Sequence, residues 1–401
     1  MSLLKTWLLA AASSLLAVSL ILFPKEALEA SLNGMAMWWN VVFPALLPFF
    51  ILSELLIGFG VVAFIGTFLE PFMRPVFRVP GAGGFVWAMG LASGNPAGAK
   101  LAARLRQEGT VSRIEGERLA AFTNSSNPLF IFGAIAVGFF HNEALGLLLA
   151  CAHYGGNIAV GLIMRFYGRK EEMEIRDKRN TRIRFSFAEA VSRMHDERMR
   201  DERPIGKQLG DAVQSSVRTL LMVGGFIILF SVLNEMLSLI GFTAFIATFI
   251  SILFSIFQLS SELSIPLLSG LFEITSGAKL SSSSDASLID KIIVTSFFVA
   301  FGGLSIQAQV ASILSETDLR FKPFFIGRLA HGLLSALLAW ILWEPLYQNR
   351  TAIHTSNGGS NYPAEWFSTF WSYWLEIAPY VTLATLLLVI WLTSRALLRS
   401  S

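Results

Sequence analysis

Four polar interruptions in otherwise apolar sequence hold the residues that could do chemistry. They are Ser93-Gly94-Asn95-Pro96, Thr123-Asn124-Ser125-Ser126-Asn127-Pro128, Glu273-Ile274-Thr275-Ser276, and Gly302-Gly303-Leu304-Ser305-Ile306-Gln307. A Pro or a Gly pair inside an apolar helix frees backbone carbonyls and amides, while Ser, Thr, Asn and Gln are neutral donors and acceptors that cost less to bury than charges. Such a set suits hydrogen bonding to a small solute. Glu273 is a carboxylate in apolar surroundings and a candidate for coupling to a cation or a proton. Lys100 and Lys279 occupy the same place in two identical tetrads, Gly98-Ala99-Lys100-Leu101 and Gly277-Ala278-Lys279-Leu280. They can stabilise a bound anion or snorkel to an interface. Glu54, near the end of its apolar segment, reads as a headgroup contact, and His153 and His331 read as packing residues.

The elements that must carry these residues follow from composition. Of 401 residues, 54% are hydrophobic and 15% charged, with a mean hydropathy of +0.59, which is an integral membrane protein. Eight apolar segments are long enough to cross: about 6–23, 37–59, 119–140, 143–164, 217–240, 288–315, 323–344 and 371–394. The expected fold is an all-α polytopic membrane protein. The single cysteine, Cys151, excludes a disulfide framework, and no metal-ligand spacing, HExxH, GxSxG or Walker A sequence is present. No enzyme, cofactor or nucleic-acid partner is expected, because the excess of positive charge sits in short segments beside the spans.

Basic residues set the orientation. Segment 165–208 has thirteen basic and nine acidic residues, and Arg74, Arg78, Arg104, Arg106, Arg113 and Arg118 mark the same side, taken as cytoplasmic. Loop 345–370 has one basic residue, Arg350, and reads as external. Both termini are then cytoplasmic, and 165–208 reads as a solvated helical arm.

The chain also matches itself. Ala63–Phe68 resembles Ala244–Phe249, the tetrads follow, then Ala121-Phe122 against Ala300-Phe301 and Ala152-His153 against Ala330-His331, at separations of 181, 179, 179 and 178 residues. Residues 60–163 and 241–342 are read as two copies of one unit. The first copy is rich in Arg after its tetrad and the second is not; one crossing, within 209–240, separates them. An inverted repeat is therefore expected. Residues 81–105 and 262–283 are too short for two crossings and too apolar for loops, and read as re-entrant helical hairpins. The first turns at Ser93–Pro96 and the second near Thr275-Ser276-Gly277. Around them stand two broken helices, a two-span N-terminal scaffold over 1–59, and an external loop with a last span over 343–401.

Gly90–Pro96 with Ala99-Lys100, Thr123–Pro128, and Gly270–Ile274 with Gly277 together resemble the nucleoside-recognition or Gate domain family, and in particular its sporulation integral membrane branch. The resemblance covers roughly 37–345. It implies a fold like that of concentrative nucleoside transporters. For the sporulation branch it implies export of dipicolinate, a flat dicarboxylate, from the mother cell across the outer forespore membrane by alternating access. Carried over residue by residue, it implies substrate contacts from Ser93, Asn95, Asn124, Ser125, Ser126 and Asn127 in the first copy, and from Glu273, Thr275, Ser276, Ser305 and Gln307 in the second. Nucleoside transporters of this fold also carry a carboxylate in the first hairpin. This chain has none between Gly81 and Gln107. The expected partners are the bilayer, a small organic anion and a coupling Na+ or H+; a homo-oligomer is compatible with the sequence. The alternatives are a nucleoside or other small-metabolite transporter of the same fold, and a membrane scaffold for sporulation.

Overall fold

The computed structural model describes residues 3–169, 171, 187–349 and 376. Every regular element among them is helical: α1 (Leu3–Leu22), α2 (Pro24–Met37), α3 (Phe43–Gly58), α4 (Val61–Phe77), α5 (Ala82–Ser93), α6 (Ala97–Gln107), α7 (Arg113–Thr123), α8 (Leu145–Met164), α9 (Phe187–Arg200), α10 (Ile205–Leu239), α11 (Phe242–Ile256), α12 (Ser264–Phe272), α13 (Ile274–Ser283), α14 (Leu288–Phe301), α15 (Gly303–Ser315) and α16 (Phe321–Trp343). Three π-helical stretches (Trp38–Val42, Leu129–Phe139, Glu344–Gln348) and one 3-10 turn (Ser261–Leu263) complete the set.

Four helices among the described residues are long and apolar enough to cross a membrane: Leu145–Met164, Ile205–Leu239, Leu288–Ser315 and Phe321–Gln348. Two bent pairs raise the count to six if each is one span. Ala10–Leu22 with Pro24–Asn40 bends by 104°, and Leu46–Gly58 with Val61–Phe77 by 83°. The expected span 119–140 is split into two pieces at Asn124–Asn127, and the eighth segment, 371–394, lies outside the described residues save Glu376. So does the reading of loop 345–370 as external, beyond Asn349.

The sequence dictates most of the breaks. Pro24 has no amide to donate and its fixed φ suits the first helical position, and α2 begins there. Gly60 and Gly241 adopt left-handed backbone, φ 75° and 77°, and open α4 and α11 at matching places in the two copies. Ser112 and Glu115 close a reciprocal capping box at the start of α7.

α5 and α6 form one helical hairpin, and α12 and α13 the other. Glycine permits a close backbone approach at both hairpins. A methyl on Gly98 would collide with the Thr123 carbonyl, and one on Gly277 with the backbone of Gly270. The first turn lies at Gly94–Pro96, as expected. The second lies at Glu273, in extended backbone (φ −146°, ψ 120°), two residues before its expected place. Thr275 and Ser276 belong instead to the first turn of α13, because the Glu273 carboxylate accepts from both of their amides, at 3.0 and 2.7 Å.

The bases of the two hairpins lie among different neighbours. The base of the first, with Leu105 and Val111, packs with Leu319 and Phe321, and Arg106 grips Asp318 through two bonds of 2.7 and 2.8 Å. The base of the second, with Leu263, Ala286 and Leu288, packs with Phe139, Leu145 and Trp343, where Asn142 donates to the Tyr347 hydroxyl at 2.8 Å. α16, 23 residues long, runs from one end to the other, about 35 Å.

The arm is partly docked rather than fully solvated. On α9, Phe187 packs edge-on against Phe64 and Phe68 of α4, and the Met194 carbonyl sits where a side chain on Gly60 would lie.

Candidate functional site

The two hairpin tips and the two helix breaks meet around one cavity of about 330 Å³. Ser93, Gly94 and Asn95 line it from the first tip and Glu273, Ile274 and Thr275 from the second. Ser126 and Asn127 come from the first break; Gly302, Ser305 and Gln309 come from the second. Leu46, Val223 and Ile227 of α3 and α10 supply an apolar wall. Helix ends concentrate unpaired backbone groups, so four ends brought together set polar tips of largely neutral residues into a chamber whose walls are mainly apolar.

The side chains are held in different ways. Asn127 donates to the Ser93 carbonyl at 3.1 Å and accepts from the Phe130 amide at 2.8 Å, tying the first break to the first tip. Ser305 accepts from Gln309 at 3.3 Å. Gln307 does not line the cavity; it donates to the Phe301 carbonyl at 2.8 Å, which the break at Gly302 leaves free. Asn124 and Ser125 lie behind the lining, 1% and 0% exposed, and their side-chain polar atoms, like the hydroxyls of Ser93 and Ser126, make no hydrogen bond within the described protein. Buried polar atoms are ordinarily satisfied, so this cluster has capacity for a polar guest. Ser276 contributes its amide to Glu273 and stands outside the lining.

Neither lysine faces the chamber. Lys100 Nζ lies 3.3 Å from Glu54 Oε1, both side chains nearly buried, which also corrects the reading of Glu54 as a headgroup contact. Lys279 is at the surface, near the base of the second hairpin. Glu273 is therefore the one charged side chain among the lining residues.

The charged group behind the cavity is one that reading the sequence did not single out. Arg328, two turns into α16, is 2% exposed. Its guanidinium donates to the Asn124 carbonyl, twice to the Ala300 carbonyl, and to His331 Nδ1. The Ala300 carbonyl belongs to the last turn of α14 and the Asn124 carbonyl to the residue that caps α7, where each broken helix ends. Each helix C-terminus carries roughly half a negative charge, so one arginine balances two ends. With Nδ1 accepting, His331 donates from Nε2 to the His153 carbonyl at 2.7 Å, and His153 Nε2 in turn accepts from the Ser126 amide at 3.1 Å. The two matched histidines are thus neutral links between the breaks. A charged residue two positions before the second Ala-His pair was the available signal.

The model for the nucleoside-recognition Gate domain matches residues 39–142 and 220–319, that is, two separate stretches of the chain. The sporulation integral membrane protein YlbJ of Bacillus subtilis (strain 168) is 57% identical over 393 residues, covering 96% of this chain and 95% of that protein. No solved structure matches the chain. An apolar helical bundle whose two tips and two breaks fall inside the two matched stretches thus belongs to the Gate family of integral membrane proteins, with the sporulation protein YlbJ among its relatives.

Proposed function

We propose that the protein is a secondary transporter that carries a small organic solute through the bilayer by alternating access. The observation that carries this reading is the convergence of two hairpin tips and two helix breaks, with their uncharged polar side chains, on one mainly apolar chamber. The two matched stretches are read as related halves threaded through the membrane in opposite senses, with the hairpins re-entrant from opposite faces. Binding at the interface of such halves is a recurring way to expose one site to either side in turn. The solute is bound by Ser93, Asn95, Ser126, Asn127, Thr275 and Ser305, with Gln309 added, and with Asn124, Ser125, Ser276 and Gln307 as the layer that holds them.

Dipicolinate is the first solute to test, because the relative is by name a sporulation protein and the family resemblance supplies that substrate. Export would then run from the mother cell across the outer forespore membrane, with both termini cytoplasmic. The chamber's charge adds a condition. A dicarboxylate entering beside Glu273 meets a like charge in low dielectric, so it needs a compensating cation, either a proton on Glu273 or a co-bound ion. The same observation favours a second reading: a chamber of neutral donors and acceptors with one carboxylate also suits an uncharged hydroxylated solute such as a nucleoside.

Uptake of labelled dipicolinate and of uridine into proteoliposomes, side by side, with sodium and pH varied separately, decides between them. Dipicolinate flux that rises with an inward proton or sodium gradient is the expected result. Flux of neither solute under any gradient would leave the scaffold reading in place of transport.

A further inference from the structure

Ahead of each copy stands a glutamate six residues before the left-handed glycine that opens the next helix, Glu54 before Gly60 and Glu235 before Gly241. Each copy also has a lysine in the second arm of its hairpin, Lys100 and Lys279. The same two side chains are available twice, yet they are paired once. In the first copy Lys100 Nζ lies 3.3 Å from Glu54 Oε1, the side chains 14% and 13% exposed. Lys100 also stands 4.7 Å over the Phe50 ring, and Ser215 of α10 donates to the same Glu54 oxygen at 3.0 Å. In the second copy Glu235 and Lys279 are both at the surface and form no ion pair among the described residues.

The engaged pair sits at a constriction. Beyond it lies a second cavity, about 590 Å³, lined by Glu54, Lys100, Arg104, Arg218 and Glu316, toward the end where Arg106 meets Asp318. Leu46, Phe50, Ala97 and Leu220 pack together in between. The order along three elements shows it. On α3, Leu46 lines the central chamber, Phe50 follows and Glu54 lines the outer cavity. On the first hairpin the sequence is Asn95, Ala97, Lys100, and on α10 it is Val223, Leu220, Thr219. At the offsets set by the paired glycines and tetrads, Phe50 and Ala97 correspond to Ser231 and Ser276. The first copy's positions hold an aromatic plug and a closed ion pair; the corresponding positions of the second hold small hydroxyls and separated charges.

From this asymmetry we infer that Glu54–Lys100 and Glu235–Lys279 are the two latches of one alternating gate. The structure is the state shut at the arginine-rich end; in the opposite state Glu235 pairs with Lys279, and Glu54 parts from Lys100. Two halves built alike can exchange conformations, and the exchange reverses the side to which the chamber opens. The pair borders the outer cavity, so its ions can rehydrate when the latch opens and neither state is trapped. A pair that only stapled α6 to α3 would have no counterpart where no pair is made. The inference rests on the transport reading and on the opposed threading of the halves.

Cysteine pairs test it in full-length protein with Cys151→Ser, reconstituted and oxidised with copper phenanthroline, with and without dipicolinate, the linked peptides read by mass spectrometry. Glu54→Cys with Lys100→Cys is expected to close at rest. Glu235→Cys with Lys279→Cys is expected to close more slowly, as the protein visits the other state, and locking the first pair should abolish crosslinking of the second. A second pair that never crosslinks, or both bonds forming in one molecule, would overturn the inference. The exchange Glu54→Lys with Lys100→Glu should preserve crosslinking of the second pair at the unmodified rate, whereas Lys100→Glu alone should speed it. Crosslinking requires no flux. If the Cys151→Ser parent moves neither dipicolinate nor uridine while the two pairs exclude one another, the transport reading fails and the two-state gate stands.

Discussion

At the scale of single residues, the decisive group is Arg328. Buried cations are usually matched by carboxylates, and here two helix C-termini take that place. Arg328→Met leaves the carbonyls of Asn124 and Ala300 without donors, at about 1–3 kcal/mol each. A clear fall in melting temperature in detergent is the expected outcome, with Arg328→Lys intermediate because the charge survives and the planar fork does not. Melting as high as that of the unmodified protein in Arg328→Met would remove the capping role. Glu273 has two tasks, capping α13 and facing the chamber. Glu273→Ala and Asn124→Ala should each reduce solute flux in vesicles while the protein stays folded. Flux untouched by both changes would mean that the chamber is not the transport site. At the membrane surface, Arg106 bonds hold the Asp318 carboxyl below the ordinary carboxylate range. Its stabilising contribution is complete above the unfolded value near about pH 4 and fades as pH falls through the lower folded value. Because the pair is half exposed, Asp318→Asn should cost only about 0.2–1 kcal/mol and flatten the acid limb of a pH–melting curve.

At the scale of elements, the hairpins depend on glycines where two backbones touch. Gly277 lies against Gly270, with no room for a methyl. Gly277→Ala should therefore destabilise the protein by about 1–3 kcal/mol, as overpacking does. Gly225, inside α10 with open space around it, provides the comparison. Gly225→Ala should be neutral or should stabilise by up to about 1 kcal/mol through helix propensity. Equal losses from the two substitutions, read by thermal melting, would contradict the close approach within the second hairpin. The first turn was readable in advance because Pro96 cannot continue a helix. The second was misplaced by two residues because nothing local to Thr275-Ser276-Gly277 shows that the preceding carboxylate folds back onto their amides.

For the whole molecule, the proposal with the largest consequence is that the two hairpins enter the membrane from opposite faces. Cysteines placed near Arg106 and near Ser282, in the Cys151→Ser protein, should react with an impermeant thiol reagent from opposite faces of the membrane. Labelling of both from one face would rule out the opposed threading, and the two-latch gate with it.

Composition alone settled that this chain lives in a membrane, since so few charges cannot cover a soluble surface. The paired tetrads and the near-constant offset disclosed two related stretches, and Pro96, Pro128 and the Gly302-Gly303 pair marked three of the four places where helices stop. Which polar residues face a solute was beyond the sequence. Ser305 lines the chamber and Gln307 ties down a carbonyl, yet both are polar residues beside the same break. The fate of the lysines was equally hidden, because a tetrad repeated letter for letter places one lysine against Glu54 and leaves the other at the surface. Partners such as Arg328 and Asn124 lie 204 positions apart. Only packing brings them together, and burial then decides which charges must be answered by another group and which are free to meet a ligand.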